Sequence, residues 1–264
     1  MRKRLALTAV YGLTCWASAA EAPAPPTGTE LNAALTALVA AYPAALDRIE
    51  GDQLVWRDGT RMPIITTKPA SFERWLETPG IPDMFAVNYP AGQPLSTPAL
   101  NVDPGRARPA GLFDKLYGDC RTGAVTAQLV DVVWLPTKSG RTIKFNGAHG
   151  AATRLQAVSA RLDALPARFD SFLLPLAGTY TCRMIAGTQR TSAHGYGIAI
   201  DLAVKRSHYW RWTPEGARHY RNETPPEIIA AFEAEGFIWG GRWSHFDTMH
   251  FEYRPELIEV GKAH

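Results

Sequence analysis

The chain has 264 residues, of which 46% are hydrophobic and 20% charged, a composition typical of folded globular proteins and not of disordered chains. Its formal net charge of +3 reflects 28 Lys plus Arg against 25 Asp plus Glu. Three of the basic residues, Arg2, Lys3 and Arg4, precede the first acidic residue, Glu21. Without those three, 25 basic residues face 25 acidic ones, so we expect neither a nucleic-acid partner nor a strongly anionic surface partner.

Residues 1–20 have the form of a secretory signal peptide. The three basic residues are followed by an uncharged stretch from Leu5 to Ala20, and Ala-Ser-Ala at 17–19 fits the small-x-small cleavage pattern. The uncharged stretch is short for a membrane span. We therefore expect an exported protein, periplasmic or cell-wall associated, with no membrane span after signal cleavage. An uncleaved N-terminal anchor is the alternative.

Two cysteines, Cys120 and Cys182, remain once the signal peptide with Cys15 is removed. An even pair in an exported protein predicts a disulfide in an oxidising compartment. Two unpaired buried thiols are the alternative.

Residues 21–118 form what we call the N-terminal extension. A helix is predicted over Thr29–Ala41, and Asp58-Gly59 predicts a hairpin with a type I′ turn within residues 53–62. Prolines and glycines are dense from Pro79 to Gly111, which predicts an irregular segment that wraps the rest of the protein or borders its cleft.

Residues 119–264 are predicted to form the catalytic domain. The predicted helices cover Gly150–Leu165 and Pro225–Glu235. The predicted strands are Ala127–Leu135, Arg141–Phe145, Thr179–Ile185, a strand from Ile198, Phe237–Trp239 and Met249–Tyr253. These elements do not alternate as βαβ units, so we predict an α+β fold with an antiparallel sheet and flanking helices.

The first chemical motif is Ser192-Ala-His-Gly-Tyr-Gly-Ile-Ala-Ile-Asp201. From Ile198 onward, large apolar residues alternate with a face of small residues that carries Asp201, which predicts a strand. A carboxylate on such a strand needs a partner, because an isolated buried charge is too costly. The two glycines permit a turn that brings His194 back towards Asp201.

The second motif runs from Trp243 to Tyr253 (Trp-Ser-His-Phe-Asp-Thr-Met-His-Phe-Glu-Tyr). Its last five residues alternate apolar and polar, which predicts a strand with His250 and Glu252 on one face.

Together the motifs offer two imidazoles and one carboxylate, His194, Asp201 and His250, as a three-ligand zinc set. The fourth position stays open for water, as catalytic zinc sites require. Asp247 is placed near that water, where a carboxylate acts as a general base. Taken alone, each histidine is more often a surface or hydrogen-bonded core residue, and Asp201 is equally suited to a turn.

The pattern Ser-x-His-x-x-Gly-x-Ala-x-Asp followed by Asp-x-x-His-Phe-Glu resembles the zinc peptidases of the D-alanyl-D-alanine carboxypeptidase family (peptidase family M15). That family includes VanY-type carboxypeptidases, VanX-type dipeptidases and L-alanyl-D-glutamate endopeptidases. The resemblance covers roughly Thr179 to Glu256 and implies the same α+β fold. It also implies zinc ligation by His194, Asp201 and His250. The acid three residues before the last histidine, here Asp247, is the family's base; many carboxypeptidase and dipeptidase members have Glu there, whereas Asp is more similar to the endopeptidase branch.

Three further residues are candidates for substrate contacts. Arg183 corresponds to a family arginine on the strand before the first motif and is suited to bind a carboxylate or the developing oxyanion. Family members carry it in a Tyr-Arg-Ser setting, whereas here the sequence is Tyr180-Thr-Cys-Arg. Ser192 is a candidate for orienting substrate, with turn formation as the alternative, and His245 for substrate binding or proton transfer.

The sequence therefore predicts an exported Zn²⁺ metallopeptidase that hydrolyses peptidoglycan stem peptides at bonds involving D-amino acids. One alternative is an L-alanyl-D-glutamate-type endopeptidase. Another is a non-catalytic, zinc-containing cell-wall binding module, as hedgehog-type relatives of the fold suggest. A zinc enzyme that hydrolyses other amides is the third.

Overall fold

The structure is a computed structural model that describes residues 21–67, 69, 71–212 and 219–262. The predicted signal peptide lies outside these residues. The described helices are α1 (Gly28–Ala41), α2 (Phe72–Glu77), α3 (Ala110–Tyr117), α4 (Ala124–Gln128), α5 (Ala151–Asp163), α6 (Asp170–Leu173), α7 (Pro226–Glu233) and α8 (Pro255–Lys262). The described strands are β1 (Leu46–Glu50), β2 (Gln53–Trp56), β3 (Arg61–Pro63), β4 (Leu129–Trp134), β5 (Arg141–Asn146), β6 (Ala199–Asp201), β7 (Phe237–Trp239) and β8 (His250–Tyr253).

The strands form three small antiparallel sheets, ordered β1-β2-β3, β4-β5 and β6-β8-β7. Helices flank these sheets, with α5 packed on β4 and α7 packed on β7. This confirms the predicted α+β class with antiparallel pairing. The third sheet carries both chemical motifs.

One hydrophobic core runs through the N-terminal extension and the C-terminal part. It contains Leu38 of α1 and Phe113 of α3 as well as Phe232 and Phe251, whose rings stack at 3.8 Å. Helix α1 packs along α8, so the two ends of the described chain lie together. The division at residue 118 stays a prediction.

Several predicted elements occur close to their expected bounds. They are α1, α5, α7, β5, β7 and β8. The strand predicted over Ala127–Leu135 begins only at Leu129, because the residues before it form α4. The strand predicted from Ile198 is reduced to the three residues of β6.

The strand predicted over Thr179–Ile185 is wrong. The segment makes only an isolated bridge, Met184 with Thr191, within the described residues. Its backbone bonds instead go to the turn that follows: Thr181 N–H donates to the His194 carbonyl, and Ser192 N–H donates to the Arg183 carbonyl. These contacts satisfy the backbone without a regular ladder.

The hairpin of β2 and β3 is present, but its turn is not type I′. Gly59 has a positive φ of 81°, whereas Asp58 does not, and type I′ requires positive φ at both central residues. The Asp58 carboxylate accepts hydrogen bonds from the backbone and hydroxyl of Thr60, which fixes the loop in the observed form. Strand β1 and helix α2 had no sequence prediction.

Residues 86–109 are irregular, as the dense prolines and glycines predicted, and this segment follows the C-terminal part closely. Asn101 N–H donates to the Ser244 hydroxyl, Ser244 N–H donates to the Val102 carbonyl, and the Trp243 indole donates to the Pro104 carbonyl. The extension thereby borders the second motif.

Cys120 and Cys182 form the predicted disulfide, which closes a sequence separation of 62 residues. It ties the segment between α3 and α4 to the segment before the first motif. No helix of the described ranges has both the length and the hydropathy that a membrane crossing requires.

Candidate metal and active site

Strands β6 and β8 bring the two motifs together. Asp201 is the last residue of β6 and lies directly opposite His250, the first residue of β8, in the antiparallel register. Directly opposed residues on one sheet face have side chains within contact distance. A carboxylate from one motif and an imidazole from the other are therefore adjacent although 49 residues separate them.

A tight turn returns His194 to the same place. Gly195 N–H donates to the Ser192 carbonyl and Gly197 N–H donates to the His194 carbonyl. Gly197 has a φ of 70°, and a Cβ there would lie 3.0 Å from the Leu129 side chain. A side chain at 197 would meet both a strained backbone conformation and a packed neighbour, so the turn depends on this glycine.

The nitrogen and oxygen ligand atoms of His194, Asp201 and His250 all lie within 4.8 Å of one another. Asp201 is central: its Oδ2 is 3.1 Å from His194 Nε2 and its Oδ1 is 2.9 Å from His250 Nδ1. Both imidazoles are buried and Asp201 is partly buried. Two imidazole nitrogens and one carboxylate oxygen in such a group can hold a divalent metal ion.

Neighbouring acceptors fix which nitrogen of each histidine faces the group. His194 Nδ1 lies 2.5 Å from the Thr179 carbonyl, and His250 Nε2 lies 3.2 Å from Glu252 Oε2. Both neighbours accept hydrogen bonds from those nitrogens, which leaves His194 Nε2 and His250 Nδ1 as the atoms that face Asp201 and would bind a metal. His194 Nε2 is buried and has no hydrogen-bond partner among the described residues, which fits a ligand atom.

The Asp201 carboxylate interacts electrostatically with both imidazoles, because the three groups lie close together and are largely buried. Burial raises the pKa of the Asp201 carboxyl, but the adjacent imidazoles of His194 and His250 outweigh burial and hold that pKa well below its usual range. Burial lowers the pKa of His250, whereas Asp201 and Glu252 raise it to about 10. The site thus stabilises positive charge strongly, as a cation site must.

Asp247 lies in the same cleft but outside the ligand group. Burial raises the pKa of its carboxyl to about 6, against the opposing charge of His250. Its Oδ1 is buried without a hydrogen-bond partner among the described residues. An unpartnered carboxylate with a raised pKa is suited to accept a proton from a molecule in the cleft.

These residues line one cleft, which we call the central cleft. Besides the ligand group and Asp247 it is lined by Arg106, Arg183, Ser192, Trp210, Trp243 and His245.

Residues 186–253 match the model of a family described as D-alanyl-D-alanine carboxypeptidase, within peptidase family M15. The matched segment contains both motifs and every residue of the ligand group. These residues resemble family M15 peptidases. The predicted family resemblance is confirmed over these residues, and the matched motifs meet in the central cleft.

Two of the predicted substrate-contact residues lie in the cleft with different exposure. Arg183 is exposed, so its guanidinium is accessible from the cleft. Ser192 is buried, and its hydroxyl accepts a hydrogen bond of 3.3 Å from His194 N–H. Ser192 therefore shapes the turn that carries His194 and also lines the cleft.

His245 also lines the cleft, as predicted, with its Nδ1 2.6 Å from Asp103 of the N-terminal extension. Trp243, on the wall, lies 5.6 Å from the His250 ring between centroids. The tryptophans near the motifs thus serve both as core and as cleft wall.

Sequence reasoning missed what the N-terminal extension contributes to the central cleft. Asp103, Arg106 and Arg108 come from the irregular segment before α3, outside the family-matched residues. No sequence motif marks these three residues. The side-chain partners of Asp103 and Arg108 in the second motif lie more than 130 residues further along the chain, and Arg106 pairs with the nearby Asp103. The role of Glu252 in holding His250 was also missed, although its alternation with His250 was visible in the sequence.

Proposed function

We propose that this protein is an exported zinc metallopeptidase that hydrolyses peptidoglycan stem peptides at bonds involving D-amino acids. The observation that carries the proposal is the convergence of His194, Asp201 and His250 within 4.8 Å, beside Asp247, whose Oδ1 has no hydrogen-bond partner in the described part of the chain. The family match supports the peptide-bond chemistry.

The three ligands hold the metal through His194 Nε2, His250 Nδ1 and an Asp201 oxygen, the atoms that the neighbouring acceptors leave available. Bound zinc supplies Lewis acidity that polarises the scissile carbonyl and makes water a better nucleophile near neutral pH. Asp247 accepts the proton of the attacking water, since its carboxyl is in the cleft and makes no hydrogen bond at Oδ1.

The remaining cleft residues bind the substrate. The exposed Arg183 guanidinium pairs with a substrate carboxylate or with the oxyanion that develops at the cleaved bond. Ser192 and His245, which also line the cleft, make further hydrogen bonds to the peptide. A peptidoglycan peptide fits this set because it carries free carboxylates and amides.

Export is supported by two features. The first 20 residues have the form of a signal peptide. The Cys120–Cys182 disulfide is of a kind that persists in oxidising compartments. A periplasmic or cell-wall location would place the protein beside its substrate.

The identity of the proposed base supports a second candidate specificity, that of an L-alanyl-D-glutamate-type endopeptidase. Asp247 stands where many carboxypeptidase and dipeptidase members of the family have Glu, and Asp is more similar to the L-alanyl-D-glutamate endopeptidases. A non-catalytic binding module is the less favoured alternative, because a purely structural site has no use for an unpartnered carboxylate beside the ligands.

Digestion of purified peptidoglycan tests these proposals together. The mature protein is incubated with peptidoglycan with and without a chelator, and the fragments are identified by mass. Release of terminal D-alanine that the chelator abolishes supports the carboxypeptidase, and chelator-sensitive release of whole stem peptides supports the endopeptidase. Binding without any cleavage would favour the module.

A further inference from the structure

The side-chain carboxylate of Asp103, in the N-terminal extension, is fully buried and faces three hydrogen-bond donors. Its Oδ1 accepts from His245 N–H at 3.0 Å, and its Oδ2 lies 2.6 Å from His245 Nδ1 and 3.1 Å from Arg106 Nη1. Burial raises the pKa of this carboxyl, but Arg106 and His245 outweigh burial and lower it. The carboxylate is therefore ionised at neutral pH and accepts the Nδ1 proton of His245.

Two aromatic rings fix the plane of the His245 imidazole. Phe72 of α2 stacks on it at 5.6 Å between centroids with 17° between planes, and Trp210 meets it edge-on at 4.8 Å. The ring cannot turn over without losing the Asp103 contact and the Phe72 stack. Two of its three neighbours thus belong to the extension.

The Nε2 atom of His245 is the part of the ring left for a ligand. The side chain is 18% exposed and lines the central cleft with Asp247 and His250. Among the residues that the structure describes, Nε2 has no hydrogen-bond partner, whereas Nδ1 faces Asp103. A molecule in the cleft therefore meets Nε2.

We propose that Asp103 is a positioning residue that keeps Nδ1–H of the His245 imidazolium on its carboxylate, so that Nε2–H gives a proton to the leaving amine of the cleaved peptide and leaves the neutral Nδ1–H ring. This inference rests on the proposed function. In the step, water forms the new carbon–oxygen bond and loses a proton to Asp247. The carbon–nitrogen bond breaks, and the amine nitrogen takes the proton from His245 Nε2. The proton on Asp247 returns to the imidazole through solvent, which restores the starting state.

The charges around His245 suit a proton donor. The Asp103 carboxylate stabilises the imidazolium directly, as a carboxylate does for the histidine of a hydrolase triad. Glu73 of α2 faces the ring and adds negative charge, as does Asp247 across the cleft. Arg106 opposes them, but it is paired with Asp103.

Kinetics of three variants test this role on the purified full chain. Asp103→Asn removes the negative charge and can present an amide N–H to Nδ1, which favours the wrong form of the ring. We expect kcat for stem-peptide cleavage to fall roughly 10²-fold, while zinc content stays at the wild-type level. The double variant Asp103→Asn/His245→Gln should be no slower than His245→Gln alone, because Asp103 acts through His245.

NMR of the His245 ring nitrogens in the same proteins gives a readout that does not depend on turnover. We expect the neutral ring of the wild type to carry its proton on Nδ1, against Asp103, and the ring of Asp103→Asn to be a mixture of Nδ1–H and Nε2–H forms. Asp83→Asn is the matched control, because Asp83 is also buried in the extension and accepts hydrogen bonds from Gly80 N–H and the Thr67 hydroxyl. This variant should change neither kcat nor the NMR spectrum of the His245 ring. The inference would be overturned if the kcat of the double variant fell by the product of the two single-variant factors. It would also be overturned if Asp103→Asn left the NMR spectrum of the His245 ring unchanged. If the wild type has no peptidase activity, the proposed function is contradicted instead. The NMR spectrum of the His245 ring then still tests whether Asp103 positions that ring.

Discussion

Arg108 of the N-terminal extension donates from Nη1 to both carboxylate oxygens of Glu252, at 3.1 and 3.0 Å. Glu252 is the residue whose other contact fixes the orientation of His250. Arg254 adds a second guanidinium, with its Nη1 3.0 Å from Glu252 Oε1. Burial raises the pKa of Glu252, but Arg108 and the other cations lower it well below its usual range. The extension is thus bound to the ligand strand through buried charges.

Replacing Glu252 with Gln should destabilise the fold strongly. Arg108 and Arg254 are buried, and the change leaves both without this carboxylate. Breaking a buried ion pair by removing one partner typically costs about 3–5 kcal/mol. Urea unfolding of the metal-free protein measures the effect. The control is Glu259→Gln, which removes an exposed carboxylate paired with Lys262 and should leave the midpoint unchanged; equal midpoints for the two variants would contradict the importance of the buried network.

Removing the disulfide should lower the free energy of unfolding by about 2–4 kcal/mol. The bond between Cys120 and Cys182 restricts the unfolded chain over a separation of 62 residues. The comparison is between the native protein and the Cys120→Ser/Cys182→Ser variant in urea. Alkylation of unfolded, unreduced protein checks the bond itself: two freely reactive thiols would show that it does not form.

The stability of the protein should depend on pH through His149. Its ring lies against Tyr42 and Tyr117, and burial lowers its pKa from 6.5, although Nε2 donates to the Leu116 carbonyl. The unfolded chain therefore binds a proton that the folded chain does not. Stability should fall as pH drops through about 6.5 and level off below the folded pKa.

The variant His149→Gln isolates this contribution to pH dependence. It should be less stable at pH 7.5, because packing against the two tyrosines is lost. Its loss of stability between pH 7.5 and 5.5 should be smaller than that of the wild type. Parallel curves for the two proteins would rule out His149 as the source.

How much the sequence predicts depends on how local each feature is. His194 and Asp201 lie in one ten-residue motif, and alternation around His250 marks a strand, so local patterns suffice to predict these elements. Pairing Asp201 with His250 required the family resemblance, because spacing alone does not give strand register. The Thr179–Ile185 segment has strand composition, but its hydrogen bonds go to the adjacent turn.

The contribution of the extension was beyond local reasoning. Asp103 lies in a segment rich in proline and glycine that carries no periodic pattern, and its partner is 142 residues away. Only the folded packing of that segment against residues 243–245 places the carboxylate under His245. The same reasoning applies to Arg108 and Glu252.

Replacing His250 with Ala should remove most of the bound zinc. Only Asp201 and His194 of the ligand group remain, and two ligands hold the ion far more weakly than three. Elemental analysis of the purified protein measures this, with about one zinc per chain expected for the wild type. His208→Ala is the matched control, since that histidine contacts Glu223 outside the central cleft. Full zinc occupancy in His250→Ala would contradict the ligand assignment.

The measurement that tests the account most directly is the turnover of Asp247→Asn on stem peptides, with zinc content determined on the same sample. The amide keeps the shape of the carboxyl but does not accept the proton of water. We predict wild-type zinc content and a kcat lower by roughly 10²–10⁴-fold, the usual scale of positioned acid–base catalysis. Loss of zinc together with activity would show that Asp247 is a ligand, and an Asn variant as active as the wild type would contradict its role as the base.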